Sequence, residues 1–331
     1  MPASVHDALF KSTFSDPRHA EGALRVVLPT ALSARIAWET LEALPGSFID
    51  AELKDRHADL LFGVTLSGRD ARIHVLYEHQ SAPHGLMAFR LVAYAVRIWE
   101  AWLKVHPDAR TLPAIVPVVL HHGVRGWTAA RTLEEIYDLD DETRDAAGEH
   151  LLRMRFVLDD LGAQSDEALR ARAMSALGRL SLYCFRHARE PEALVRELGA
   201  WVELMLEVRA APNGGAALGS ILRYIVMVHP EPPEVVLPQL ERALGDSRLK
   251  ETLMTCGEIL MQRGEARGEA RGEARGELHG RRAVLRRLLG LRFGPLPESV
   301  DARIEAADVP TLDTWADRVL TAASVDEVLG D

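Results

Sequence analysis

The sequence predicts an α/β protein, with helices flanking a mixed central sheet, then an all-helical region and a small helical module. Three observations carry that reading. Residues 58–81 hold two apolar arms, rich in Val, Ile and Leu, around a Gly-bearing turn, which is a β-hairpin pattern. Leu86 to Val105 follows as an amphipathic helix, with Phe89, Val92, Val96, Trp99 and Leu103 at spacings of three and four as its buried stripe. Pro113 to Leu120 is then a continuous apolar run, as in a strand buried on both faces, with Pro117 near an edge or a bulge. Helix, hairpin, helix and strand in that order indicate layers of helix on sheet.

At the start, His6-Asp7-Ala8-Leu9-Phe10-Lys11 supplies apolar anchors in Leu9 and Phe10, joined by Phe14. Glu21 to Leu28 reads as a helix stopped by Pro29, and Ala31 to Trp38 as a second helical turn. Leu44 to Ile49 reads as a loop leading to the hairpin. If the hairpin turns at Gly68-Arg69, Asp59 faces Glu78, Leu60 faces Tyr77, Phe62 faces Val75 and Val64 faces Ile73. Side chains alternate along a strand, so Asp59, Glu78 and Gln80 then share one face. Opposed carboxylates about 5 Å apart destabilise a strand pair unless a cation, a proton or a basic partner answers them. A register off by one or two residues would instead leave two unrelated surface acids.

From 146 to 262 the pattern is helical, with candidates at Ala168–His187, Ala193–Val208, Ala217–Met227, Val235–Leu244 and Arg248–Met261, and no catalytic motif stands out. The organisation expected is therefore a core over 1–145, a helical subdomain over 146–262, a repeat over 263–279 and a C-terminal module over 280–331. The repeat is Arg-Gly-Glu-Ala, which in a helix lines up like charges at i, i+4 and places a Gly, costing about 1 kcal/mol, in every turn. It reads either as a flexible linker or as a helix that pairs with a second copy, Glu row to Arg row. In the module, Arg281, Arg282, Arg286, Arg287 and Arg292 flank an apolar stripe of Val284, Leu285, Leu288 and Leu289. Such a run suits phosphate, an acidic face, or plain solvent.

A net charge of −10 argues against a protein that coats nucleic acid, but leaves room for a local basic surface. Cys184 and Cys256 are far apart with no CxxC, which fits reduced thiols in a cytoplasmic protein and not a structural zinc site. The opening residues lack a signal-peptide pattern, and no window approaches the ~20 apolar residues of a membrane span. GxSxG, GxGxxG and Walker-type loops are absent, which removes the usual nucleophilic-enzyme and nucleotide-binding readings. His121 and His122 lack a ligand-spaced third partner and read as structural, and Trp99 and Trp102 read as core.

Several separate stretches nonetheless occur in a telling order. They are His6-Asp7-Ala-Leu-Phe10-Lys11, Pro45-Gly-Ser-Phe48, His57-Ala-Asp59-Leu-Leu-Phe62 and Tyr77-Glu78-His79-Gln80-Ser81, then Met87-Ala-Phe89-Arg90-Leu91 with Tyr94, Arg97-Ile-Trp99-Glu100, and Pro117-Val-Val-Leu-His-His122-Gly123. Over about the first 125 residues the chain resembles the recombination-promoting nucleases, a transposase-like family within the PD-(D/E)xK nuclease superfamily. The resemblance implies a restriction-endonuclease-like core and DNA cleavage dependent on Mg²⁺ or another divalent cation. It implies Asp59 and Glu78 as metal ligands, with the carbonyl of His79 as a further one, and Gln80 where the superfamily has Lys. A neutral amide can orient water or a phosphate oxygen but supplies no positive charge. His6, Lys11 and Arg90 become candidates for DNA phosphate. The rival reading is a catalytically silent, nuclease-fold scaffold that binds DNA or protein.

Overall fold

The computed structural model describes residues 5–44, 58–78, 84–123 and 126–330, with backbone alone for 58–59, 74–78 and 259–274. The chain falls into two compact units, Met1–Gly257 and Glu258–Asp331.

The first unit is built on a five-stranded mixed sheet in the order β1-β2-β3-β4-β5. Its strands are β1 (Ile36–Leu44), β2 (Ala58–Leu66), β3 (Arg69–Glu78), β4 (Ala114–His121) and β5 (Val157–Asp160). β1, β2 and β3 are antiparallel neighbours, whereas β3, β4 and β5 run parallel. Ahead of β1 come α1 (Val5–Phe14), α2 (Pro17–Val27) and the single turn α3 (Thr30–Ser33). Asp16 caps α2 by accepting the Arg18 N–H at 2.9 Å, and Pro17 takes the first helical position, where no N–H is needed.

The stretch expected as a second helical turn is helix only to Ser33, where α3 ends, and turns into strand at Ile36, where β1 begins. The alternation of Ile36, Trp38 and Leu41 with Glu39 and Glu42 gives β1 one buried side. A bulge separates Ala37 from Glu42 in its pairing with β2. Thr40 repairs the ladder there, its hydroxyl accepting the Thr65 N–H at 2.8 Å and donating to the Ala37 carbonyl at 2.6 Å.

The hairpin forms, but it turns one residue earlier than the spacing suggested. Leu66 pairs with Arg69, leaving Ser67 and Gly68 as the two-residue loop. Both have positive φ, 48° and 76°, as a type I′ turn requires, and Gly68 meets that demand without strain.

α4 (Met87–Val105) covers one face of the sheet, and Met87, Leu91 and Tyr94 cluster with Val119 of β4 and Leu158 of β5. Of the expected stripe, Val92 packs against this cluster and Trp99 is half-buried, but the other three are not. Phe89, Val96 and Leu103 are exposed, at 57%, 43% and 38%, while Met87, Leu91, Tyr94 and Ile98 are buried. Both sets repeat at helical spacing, so periodicity alone could not choose between them. The opposite face of the sheet packs on α1 and α2, where Phe10, Phe14 and Leu24 meet Leu60, Phe62, Val118 and Leu120. Pro117 lies on a central strand, but β5 joins β4 only from Val118 onward, so its missing N–H costs no bond on that side.

Within 146–262, where the pattern predicts helices alone, β5 adds a fifth strand to the sheet. Helices then follow: α5 (Asp141–Ala147) before β5, and after it α6 (Asp166–Arg170), α7 (Ala176–Arg186), α8 (Pro191–Arg196), α9 (Val202–Ala210), α10 (Gly214–Val228) and α11 (Pro233–Leu244). α7 joins α1 and α2 over the sheet, and its Leu182 reaches the same apolar layer. Gly22 of α2 permits a close crossing there, since a Cβ would stand 2.6 Å from that of Met174.

α12 (Ser247–Phe293) carries the chain through the repeat as one continuous helix of 47 residues. In the second unit, its last turns pack on α13 (Glu298–Ala306), α14 (Val309–Arg318) and α15 (Val325–Leu329) around Leu285, Leu289, Ile304, Leu312 and Val328. Four of the five arginines named from the sequence, all but the exposed Arg287, are engaged within the module. Arg282 meets Glu305 at 2.9 Å, Arg286 meets Asp301 at 2.5 Å and Glu305 at 2.9 Å, and Arg281 pairs with Glu277 and Asp313. Arg292 donates to the carbonyls of Val319 and Ala322. The acidic face these arginines suit thus belongs to their own module. No described helix is long and apolar enough to cross a membrane.

Candidate active site at the carboxyl end of the sheet

Because β3, β4 and β5 are parallel, their carboxyl ends share one edge of the sheet. In open α/β sheets that edge is where ligands bind. Register places Glu78, His121 and Asp160 side by side there, one from each strand. β2 runs the other way, so its first residues, Ala58 and Asp59, reach the same edge.

Asp59 pairs with Leu76, not with Glu78. The expected direct opposition is therefore corrected by two residues, because the turn is Ser67-Gly68. A shift of two preserves the face, so Asp59 and Glu78 remain on one side of the sheet as diagonal neighbours. In a regular ladder such neighbours lie about 7–8 Å apart. This relieves the direct repulsion of two opposed carboxylates. It also leaves room for a hard cation whose bonds to carboxylate oxygen are about 2 Å long. The strands fix where both residues sit; their side chains, and all of His79 and Gln80, lie outside the described residues.

Asp59 and Glu78 share their face with Val119 and Leu158, so it is the face that α4 covers. Arg90, in the first turns of α4, belongs to this side. It is half-buried, and its Nη2 lies 3.5 Å from the Tyr94 hydroxyl. Just ahead of α4, His84 Nδ1 accepts the Leu86 N–H at 3.2 Å. Burial first, and the charge of Arg90 second, lower the His84 pKa from its ordinary value.

His6 reaches the same end from the other side, on α1. It shares a 2.8 Å hydrogen bond with the Tyr224 hydroxyl of α10, and its ring centroid lies 5.4 Å from that of His122. Lys11, five residues further along α1, is exposed. The structure therefore brings Arg90 to the acidic face, sets His6 on the opposite one, and leaves Lys11 at the surface.

His121 and Asp160 were not singled out from sequence as partners of Glu78. His121 is fully buried and its Nε2 accepts the Gly123 N–H at 3.2 Å. Asp160 Oδ2 accepts the Trp127 N–H at 2.7 Å. The available signal was weak: Val157-Leu-Asp-Asp160 is short and half acidic, and only the register of three strands aligns it with Glu78. On the opposite face, Asp159 is buried against Arg172, at 2.6 and 2.7 Å, and Gln164. His122 Nδ1 lies 3.2 Å from the Phe185 carbonyl of α7. Among the described residues no three His, Cys, Asp or Glu side chains gather as a metal site, and the Asp59 and Glu78 side chains are not among them.

Two acids on one face at the carboxyl end of a mixed sheet stand where open α/β sheets bind ligands. Comparison narrows this. Residues 4–213 match the family described as "Putative transposase, YhgA-like", and the chain belongs to that family. Among curated proteins, it is 34% identical over 123 residues to recombination-promoting nuclease RpnD of Escherichia coli O157:H7, covering 37% of this chain and 47% of that one. It is 36% identical over 124 residues to recombination-promoting nuclease RpnA of Escherichia coli K12, covering 37% and 41%. It is also 36% identical over 123 residues to the inactive recombination-promoting nuclease-like protein RpnE of the same strain, covering 37% and 40%. The matched region thus spans less than half the length of each relative. No solved structure matches the chain.

Proposed function

We propose that this protein is a divalent-metal-dependent DNA endonuclease, with Asp59 and Glu78 as the acids that hold the metal. The observation that carries the reading is their common face at the carboxyl end of the sheet, in a chain whose relatives are named nucleases.

Two carboxylates from adjacent strands are hard oxygen donors and suit Mg²⁺, to which the His79 carbonyl would add a third oxygen. When bound, the ion supplies positive charge to the scissile phosphate and acidifies a water. The chain's own residues do the rest. Asp59 and Glu78 would present two carboxylates from adjacent, hydrogen-bonded strands. The Gln80 side-chain carbonyl would accept a hydrogen bond from the attacking water and so aim it, while its NH₂ would donate one to a phosphate oxygen. Arg90, on the acidic face, meets the DNA backbone and supplies the positive charge that Gln80 lacks. His6 and Lys11 contact phosphates further along the duplex.

The test is cleavage of supercoiled plasmid by the purified protein with and without Mg²⁺, for the wild type and Asp59→Ala. A second reading has its own support: one relative at 36% identity is named inactive. In that case the fold serves as a DNA- or protein-binding scaffold. Metal binding without cleavage, or neither, would favour it.

A further inference from the structure

We propose that the cleft between α1 and α10 is a binding site for a phosphate group, with Arg223 as its anchor. The cleft lies on the α1 side of the sheet, away from the face of Asp59 and Glu78. The inference stands whether or not those two acids hold a metal.

The shape of the cleft follows from the residues the two helices turn toward each other. Leu9 and Tyr224, both buried, form the floor. Ala8 and Ser12 of α1 stand on one wall, and Ser220 and Arg223 of α10 on the other, each pair about one helical turn apart. Alanine and serine are too small to close the gap, so a space of about 300 Å³ remains, at the lower end of small-ligand pockets.

Arg223 is the one charged side chain among the described residues that lines this cleft, in a chain of net charge −10. It is half-buried, yet its guanidinium has no hydrogen-bond or ion-pair partner among the described residues. Its Nε is shielded from solvent as well. A cation that gives up water without gaining an acceptor is costly, and an oxyanion in the cleft would answer it. Phosphate fits the donors better than carboxylate. The guanidinium fork takes two oxygens, and the Ser12 and Ser220 hydroxyls, one on each wall, stand ready for the others. Both hydroxyls now donate to carbonyls of their own helices, Ser12 to Leu9 at 3.0 Å and Ser220 to Ala216 at 3.1 Å. A hydroxyl rotates to suit its acceptor, and a hydrogen bond to a charged one is about twice as strong.

The experiment uses the full chain in excess chelator, so that no metal takes up the anion. Calorimetry measures inorganic phosphate, with acetate as the control anion, on wild type, Arg223→Gln, Arg223→Lys and Ala8→Glu. Gln removes the charge, Lys keeps the charge without the fork, and Glu at the exposed Ala8 supplies a carboxylate from the chain itself. The expected results are one phosphate site in wild type and acetate weaker by about tenfold or more. Arg223→Gln and Ala8→Glu should each lose about tenfold or more, and Arg223→Lys less. Wild-type phosphate affinity in Arg223→Gln and Ala8→Glu overturns the proposal. So does an absence of saturable phosphate binding, or acetate bound as tightly as phosphate. Two further probes separate the sources of the phosphate. Adenosine monophosphate bound more tightly than inorganic phosphate, and weakened in Arg223→Gln, assigns the site to free nucleotides. A short DNA duplex that competes with phosphate, with a salt slope lower by about 1 in Arg223→Gln, assigns it to the DNA backbone. Melting temperatures confirm that each variant folds; should Arg223→Gln fail to, Ala8→Glu still decides.

Discussion

Arg172 and Asp159 form a bidentate ion pair in the interior, at 2.6 and 2.7 Å, with each side chain only 5% exposed. Gln164 completes it, accepting from Arg172 at 2.7 Å and donating to Asp159 at 3.0 Å. Asp159 is one residue from the end of β5, so the pair ties the chain after the sheet to the strand that carries Asp160. Removing one partner strands a buried charge, whereas replacing both removes the desolvation cost as well. Arg172→Met should lower unfolding free energy by about 3–5 kcal/mol, and Asp159→Leu/Arg172→Met should regain much of that loss. Urea midpoints check both; a double variant no better than the single one would contradict the coupling.

The turn of the hairpin offers a second measurement. Ser67 adopts φ 48°, where Asn is better tolerated than Ser, and Gly68 adopts φ 76°. Ser67→Asn should therefore stabilise by a few tenths of a kcal/mol to about 1 kcal/mol, and Gly68→Ala should cost about 1–2 kcal/mol. Nothing stands within 4 Å of a Cβ at Gly68, so the cost there is backbone strain and not crowding.

His19 gives the fold a pH dependence of known sign. Its Nδ1 lies 2.8 Å from the Ser175 hydroxyl. Burial lowers its pKa from 6.5, with the Asp16 charge opposing and Arg18 adding. The unfolded chain then binds a proton more readily than the folded one, so stability falls as pH drops below 6.5 toward the folded value. His19→Asn keeps a polar partner for Ser175 but cannot titrate. Its melting temperature should fall less than that of the wild type between about pH 7.5 and about pH 5.5.

The two thiols should be silent in the native state. Burial pushes the Cys184 thiol far up and raises that of Cys256, whose S–H donates to the Gly219 carbonyl at 3.2 Å. A thiol reagent should label neither until denaturant unfolds the chain. Rapid native labelling of Cys184 would contradict its burial.

Much of this architecture is legible in the sequence, because the hairpin arms, the α4 repeat and the apolar β4 run each have a period of their own. The failures have physical causes. β1 contains Trp, Glu and Thr at spacings that a short helix also allows, and only pairing with β2 decides. The α4 stripe was displaced because Phe89, Val96 and Leu103 repeat as regularly as Met87, Leu91, Tyr94 and Ile98, and the sheet alone selects between them. The hairpin register slipped by two because Gly68 can serve in either turn position. Asp59 and Glu78 kept their common face despite the slip, since side-chain alternation has a period of two. His121 and Asp160 could not be joined to Glu78 from sequence, as their alignment arises from parallel strands 43 and 39 residues apart in the chain.

The central claim is that Asp59 and Glu78 make a metal-dependent nuclease of this fold, and cleavage of supercoiled plasmid tests it most directly. Wild type should nick or linearise the plasmid in Mg²⁺ and not in excess chelator, and Asp59→Ala should lose that activity while keeping its melting temperature. Cleavage by Asp59→Ala at the wild-type rate, under the same conditions, would contradict the account.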